Sequence, residues 1–333
     1  MLRRDIFWKF LVGVLIALSL AIVDLFVGAE QVSPLKAFLS DGFAREILMN
    51  FRLPKLMTAI LAGIALSVSG LVMQTIFRNP LAGPYMLGVS SGASLGVAIF
   101  MMSASMVGYP LVKMFGTVTS AWIGSAVVLV IVMAVSVRLR DVMAILILGM
   151  MIGSAATAFV DVLQFFSNES ALKGFVLWSM GSVGGLSMLQ ISILFFSVIF
   201  GLAITLCKMK VMDVMLLGEN YASTMGVNMV RNRTMLFLST ALMAGGVTAF
   251  CGPIAFVGIA SPHIARIVWK RAPHRILLPA SLLTGTSLMI ICDILSSVPM
   301  YGYPLPLNTV TALFGIPVVV AVVWKGNRSQ RIM

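Results

Sequence analysis

Apolar stretches of about twenty residues recur along the whole chain, separated only by short polar connections. Each is long enough to cross a hydrocarbon core of about 30 Å. Inside such a core a backbone must satisfy its own polar groups, which a helix does. The segments lie at about 7–27, 55–77, 86–107, 115–137, 142–165, 189–207, 234–251, 254–269, 276–296 and 307–324. The eighth, PIAFVGIASPHIARIV, is short and interrupted by Pro262 and His263, so hydropathy alone leaves nine or ten spans. Of 333 residues, 60% are hydrophobic and 10% charged, where a soluble domain carries about 25% charge. Mean hydropathy is +1.06. The expected fold is all-α and polytopic, with about ten transmembrane helices.

The charges decide the count and the orientation. With ten spans and the N-terminus inside, the inner segments hold 17 of the 23 basic residues. The outer loops hold Lys36, Arg45, Arg52, Lys55, Lys113 and Lys173. Cytoplasmic loops collect Lys and Arg, so both termini are expected in the cytoplasm. With nine spans, either Arg266–Arg275 or the basic tail ending at Arg331 would face outward. The net charge of +12 therefore reads as topology, not as a nucleic-acid surface. Arg3, Arg4 and Lys9 precede the first apolar run, as in a signal peptide. That run is too long for a signal core and no A-x-A-like site follows, so it is expected to be retained. The outer connection at about 28–54 has room for a short surface helix.

Several stretches carry more than hydropathy. After the polar turn Arg78-Asn79-Pro80, Gly88, Gly92 and Gly96 recur four apart, which on a helix is one face open to close backbone approach. Gly149 and Gly153 repeat that spacing in span five; ordinary packing within one subunit is at least as good a reading as a pathway face. WSMGSVGG (Trp178–Gly185) reads as a glycine turn, either a gate or a packing turn. Between spans six and seven, at about 208–233, an amphipathic piece from Leu216 to Met225 is closed by Gly226 as a helix C-cap. It is either a helix resting on its own bundle or a docking helix for a partner. Arg52 and Lys55, in RLPKL, stand at the outer end of span two, where basic residues anchor helices at the interface.

Other features point away from bond chemistry. Cys207, Cys251 and Cys292 have no metal-type spacing and read as buried, inert thiols. His263 lacks a suitably spaced second ligand and reads as structural. Asp161 and Asp293 are the clearest acids within spans, where a carboxylate must face protein or water. Two isolated acids are thin support for the rival class, an ion-coupled secondary transporter, and no inverted repeat is clear. Neither a catalytic cluster nor a metal set is visible. No G-x-x-x-x-G-K-S/T occurs, so any nucleotide-driven step needs a separate ATPase chain.

Motifs in consistent order resemble the FecCD-type permeases, membrane subunits of ABC importers for iron-siderophores, haem and cobalamin. LGENYASTMGVN resembles the family's LGE-x-x-A-x-x-LGV signature, with Leu217, Gly218, Glu219, Ala222 and Gly226 matching and Met225 in the usual leucine's place. GPIAFVGIASPHIARIV resembles GPIGFVGL-x-x-PHI-x-R. PLPLNTVTALFGIPVVV resembles the closing ELP-x-G-x-x-T-x-x-x-GAP, with Pro304 for glutamate and Asn308 for glycine. The resemblance implies a type II ABC importer permease fold in one domain over 1–333. It implies that residues 208–233 form the coupling helices against the ATPase. Gly149, Gly153, Gly181, Ser182 and Gly185 would then stand near the pathway or gate. In the cobalamin permeases the R-L-P-R arginines meet acids of the binding protein, which assigns Arg52 and Lys55 to docking. The arginine of the family's A-D-x-x-x-R pattern is Ser297, following Asp293. Implied partners are a second permease subunit (a homodimer by default), two ATPase subunits, a periplasmic or lipid-anchored substrate-binding protein, and membrane lipid. The chain itself would bind no cofactor; ATP and magnesium belong to the ATPase. The expected location is the bacterial cytoplasmic (inner) membrane.

Overall fold

A computed structural model describes residues 2–27, 42–103, 110–138, 141–270, 272–298 and 305–330. Lys36, Arg140, Arg271, Pro304 and Arg331, and most of the outer connection at 28–54, lie outside them. The described residues are mainly helical, with short turns between helices and no strand among them. In chain order the helices are α1 (Leu2–Phe26), α2 (Phe43–Ile47), α3 (Leu53–Ile76), α4 (Val89–Ser103), α5 (Pro110–Arg138), α6 (Val142–Phe165) and α7 (Glu169–Ser179). They continue with α8 (Met188–Met215), α9 (Glu219–Thr224), α10 (Met229–Thr240), α11 (Gly246–Cys251), α12 (Val257–Trp269), α13 (His274–Ser297) and α14 (Leu307–Gln330). A π-turn, Ala241–Gly245, joins α10 to α11 without a break in helical backbone. Another, Leu48–Arg52, joins α2 to α3.

Each of the ten apolar segments is thus a helix. Among the described residues seven helices are long and apolar enough to cross a membrane. The other three segments are shorter, for stated reasons. α4 starts late because Gly88, at φ +73, closes a 3-10 turn over Pro84–Leu87. Segment eight becomes the 13-residue α12, because the chain from Gly252 (φ +74) to Phe256 (φ +66) is non-helical. Segment ten lies within α14, which begins at Leu307 just after Pro306.

The residues cluster into two compact units. Unit 1 comprises Met1–Leu71, Ser182–Phe195 and Ile254–Met333; unit 2 comprises Val72–Gly181 and Phe196–Pro253. Helices α3 and α8 each contribute residues to both.

In unit 1 the first two spans show different environments. α1 is exposed along one side, while Phe10 and Gly13 on its other side pack against Trp269 and Leu283. α3 is buried nearly all round, as a uniformly apolar helix inside a bundle should be. It admits close neighbours through small residues. A Cβ on Gly63 would sit 2.7 Å from the carbonyl oxygen of Gly285 on α13, and one on Gly70 would collide with the backbone of Gly258 on α12. The non-helical link before α12 frees backbone donors, and Asn308 takes one: its Oδ1 accepts the Ala255 N–H at 3.1 Å. The asparagine where the related sequences carry glycine therefore has a structural task.

In unit 2, α4, α5 and α6 share a glycine seam. Gly92 would place a Cβ 2.6 Å from the Gly124 carbonyl oxygen on α5, and Gly96 would run into Ser120. Gly88 departs from the single-face expectation. It lies before the helix, in the left-handed region, and faces α6 instead, 2.8 Å from the Gly149 carbonyl oxygen. Around α4 a core of Ala93, Val97, Ala121, Val160 and Phe175 closes the packing.

Candidate functional site

The polar segment between α8 and α10 folds into a tight, well-capped projection. α8 ends at Met215, and Gly218 turns the chain with φ +112. The helical piece is shorter than the amphipathic stretch from Leu216 to Met225: α9 holds only Glu219–Thr224, and Leu216 and Leu217 belong to the preceding turn. Glu219 in the first turn favours the positive end of the helix dipole. At the other end Gly226, at φ +79, donates its N–H to Ser223, and Val227 donates to Ala222. These two bonds make a Schellman motif, which requires a left-handed residue at Gly226. Asn228 then caps α10 by accepting the Arg231 N–H at 2.9 Å.

Side chains of this projection divide by role. Ala222 is fully buried and anchors it, while Leu217, Tyr221 and Met225 are each more than half exposed. Three large apolar groups on a polar projection make a face for another surface. Beside them a recess of about 670 Å³ is lined by Phe77, Arg78, Asp141, Met143, Gly218 and Tyr221 among others. Glu219 does not point freely outward. Its Oε1 lies 3.7 Å from Arg233 Nη1, with Glu219 30% and Arg233 3% exposed. Arg233 Nη2 also donates to the Ser136 carbonyl oxygen near the end of α5, at 2.9 Å. One buried guanidinium therefore touches α5, α9 and α10. Sequence reasoning counted Arg233 only as a loop charge. Its position beside an apolar run was the signal that it needed partners.

A second polar cluster lies in unit 1, at the C-terminal ends of α1 and α13 and the N-terminal end of α3. Lys55 Nζ is 3.0 Å from Asp293 Oδ1, with Asp293 only 2% exposed, and it also bonds Ser297 Oγ. Arg52 is buried and its Nη1 donates to the Leu25 carbonyl oxygen. Asp24 is also buried, close to Asp293. Arg52 and Lys55, assigned to docking from the sequence, also have partners within the chain: the Leu25 carbonyl oxygen for Arg52 and buried Asp293 for Lys55. The absent arginine of the A-D-x-x-x-R pattern is accounted for locally, since Ser297 is a partner of Lys55.

The remaining candidates separate. Gly149 and Gly153 pack on the Met86–Ser91 stretch, 2.7 Å and 3.3 Å from its nearest atoms for an added Cβ. They serve the seam between α4 and α6, which is the packing reading. Gly181, at φ +72, approaches Gly252, while the turn beyond it is held by the Gly184 N–H on Ser182 Oγ at 3.1 Å. Gly185, at φ +81, is exposed with open space around it. Asp161 is exposed on α6 and His263 is half-buried on α12. Cys251 and Cys292 are buried free thiols as expected, but Cys207 is exposed. Among the described residues no three His, Cys, Asp or Glu side chains stand together as a metal set.

Known proteins agree with this architecture. The model of the FecCD transport family matches residues 12–325. The vitamin B12 import system permease protein BtuC of Shigella flexneri is 32% identical over 326 residues, covering 98% of this chain and 97% of that one. The protein of the same name from Escherichia coli K12 is 31% identical over the same length. A solved structure described as an inward-facing conformation of a putative metal-chelate type ABC transporter superposes with a TM-score of 0.82 at 26% identity, over 98% of this chain and all of that one. PsaBC from Streptococcus pneumoniae superposes with a TM-score of 0.52 at 12% identity, a likeness of fold alone. The chain belongs to the FecCD transport family.

Proposed function

We propose that this chain is the transmembrane permease subunit of an ATP-binding cassette importer whose cargo is an iron chelate or cobalamin. It is a transport subunit and not an enzyme; hydrolysis of ATP takes place on a separate chain. The observation that carries this reading is the capped projection at Leu217–Gly226. Its apolar face of Leu217, Tyr221 and Met225 is open to a partner, and its base is tied through Glu219 and Arg233 to α5 and α10. A push on α9 would thus be felt by a membrane-spanning helix. The ATPase is the partner assigned to that face, with ATP and magnesium bound there. A homodimer of this chain would form the path, and both termini would lie in the cytoplasm.

Cobalamin is the first cargo to test, because the relatives quoted above are vitamin B12 permeases; ferric siderophores and haem stand next on the family's breadth. The binding protein would meet the outer face. Lys55, a quarter exposed, is the one member of the Arg52–Lys55 pair still within a partner's reach.

Reconstitution in proteoliposomes with the ATPase and binding protein tests the whole reading. Haem, a ferric siderophore and cobalamin are offered in parallel. Uptake of one cargo that needs both ATP and the binding protein is expected. Uptake driven by an ion gradient without ATP would establish the secondary-transporter alternative instead.

A further inference from the structure

Unit 1 holds a largely apolar groove of about 460 Å³ between α1, α12 and α13. It runs along α1 from Trp8 to Ile16, eight residues of helix or about 12 Å. Most of its wall is apolar: Val12 and Ile16 face Leu283, Leu288 and Ile291. Gly13 opens its floor, since a Cβ there would collide with Leu283. The hydroxyls that line it are already spent. Thr284 donates to the Ser261 and Ala280 carbonyl oxygens, and Ser287 donates to Leu283. Nothing along this length would hold a polar molecule or an ion.

One end is different. Lys9 Nζ donates to the Val268 carbonyl oxygen at 2.9 Å, which uses one of its three protons. Next to Val268, the Trp269 side chain is about nine-tenths buried and lines the groove, and its indole N–H has no acceptor among the described residues. A buried donor without an acceptor is costly, so a ligand oxygen at this end would relieve it. Trp8 stands half exposed at the same level, as aromatic residues do at a membrane interface. Arg4, Lys270 and Arg275 are exposed at the same helix ends. The groove is therefore a hydrocarbon slot with a cationic, donor-rich mouth.

We propose that the groove binds one anionic phospholipid, its acyl chain lying between α1 and α13 and its headgroup oxygens accepting from Lys9 and the Trp269 indole. The lipid comes from the leaflet around the N-terminal end of α1, and it bridges a lipid-exposed helix to the buried part of the unit. A neutral lipid would fill the slot but lose the attraction of its headgroup to the basic residues at the mouth.

The full chain, purified in detergent, is titrated with dioleoyl phosphatidylglycerol and separately with dioleoyl phosphatidylcholine, and bound lipid per chain is read by native mass spectrometry. Phosphatidylglycerol is expected to bind on the order of tenfold more tightly. Lys9→Glu should abolish that preference while neutral lipid still binds. Trp269→Phe keeps the ring and should weaken both lipids severalfold, and Ser287→Phe, which fills the slot, should remove the tight site. Equal binding of the two lipids by the parent chain would overturn the proposal. So would an unchanged preference in Lys9→Glu, or full lipid retention in Ser287→Phe. Efficient disulfide cross-linking of Val12→Cys chains to one another would instead show that a second copy covers the groove. Each variant's melting temperature in lipid-free detergent separates loss of the site from loss of the fold.

Discussion

Unit 2 contains both a close-packed helix seam and an open, capped projection. In the α4–α5–α6 seam, backbones touch through Gly92, Gly96, Gly124 and Gly149, and an added Cβ at any of them meets a carbonyl or α-carbon. In the projection at Leu217–Gly226, Gly226 has nothing within 4 Å of an added Cβ, and the Glu219–Arg233 ion pair is 3.7 Å long. The difference is one of tolerance. A helix seam made of backbone contact has two states, packed or broken. A projection held by one buried alanine, a glycine cap and a long ion pair can shift against its base without losing the fold. A transporter needs both: stiff bodies, and a joint that a partner can move.

The comparison breaks most visibly at Gly92. Gly92→Leu must displace the Gly124 backbone and the Val128 side chain, and overpacking of this kind costs about 3 kcal/mol. A clear fall in melting temperature in detergent is expected. An unchanged melting temperature would show that the seam is as yielding as the projection.

Asp293 supplies a second stiff point, in unit 1, held by charge instead of shape. Asp293→Ala would leave Lys55 beside Asp24 and Ser297 without its main counter-ion. Breaking such a pair is expected to destabilise by about 2 to 3 kcal/mol. Replacing both partners, as Lys55→Met with Asp293→Leu, should recover most of the loss. If the single change leaves thermal unfolding untouched, the cluster is not a structural tie and an outward docking role for Lys55 regains its place.

Glu219→Arg moves to the loose region, so its signature should be functional. It sets two guanidinium groups against each other where α9 meets α10 and the end of α5. Membrane insertion and melting temperature should stay near the parent values, while capture of the partner ATPase falls about tenfold, or 1.4 kcal/mol. Adding Arg233→Glu should restore part of the capture, because the pair is exchanged and not removed. Normal pull-down of the ATPase by the single variant would sink the idea.

How far these features were legible in the sequence depended on how local their causes are. All ten apolar segments became helices because length and apolar content are local properties. Gly226 was readable as a cap because the motif that needs it spans only six residues. Gly88 was not, since the same four-residue spacing continues through a 3-10 turn into α4 without a change of pattern. Arg52 and Lys55 read as outward cations because their partners are remote: Leu25 is 27 positions away and Ser297 is 242. Arg233 looked like one more inner-loop charge. Only the fold reveals that Ser136, 97 residues earlier, lies against it.

The smallest expected effect is at Met225, and it tests what the loose region recognises. Met225 is 57% exposed. It stands where the related signature carries leucine. Met225→Leu is a nearly volume-conserving change, so melting temperature should not move. If the face formed with Leu217 and Tyr221 works by apolar area, ATPase affinity should change by less than about twofold, because the area offered is almost the same. A tenfold change in either direction would mean that the partner reads the shape of this side chain. The projection would then be as exacting at its tip as the glycine seam is at its centre, and its looseness would be confined to its base at Glu219 and Arg233.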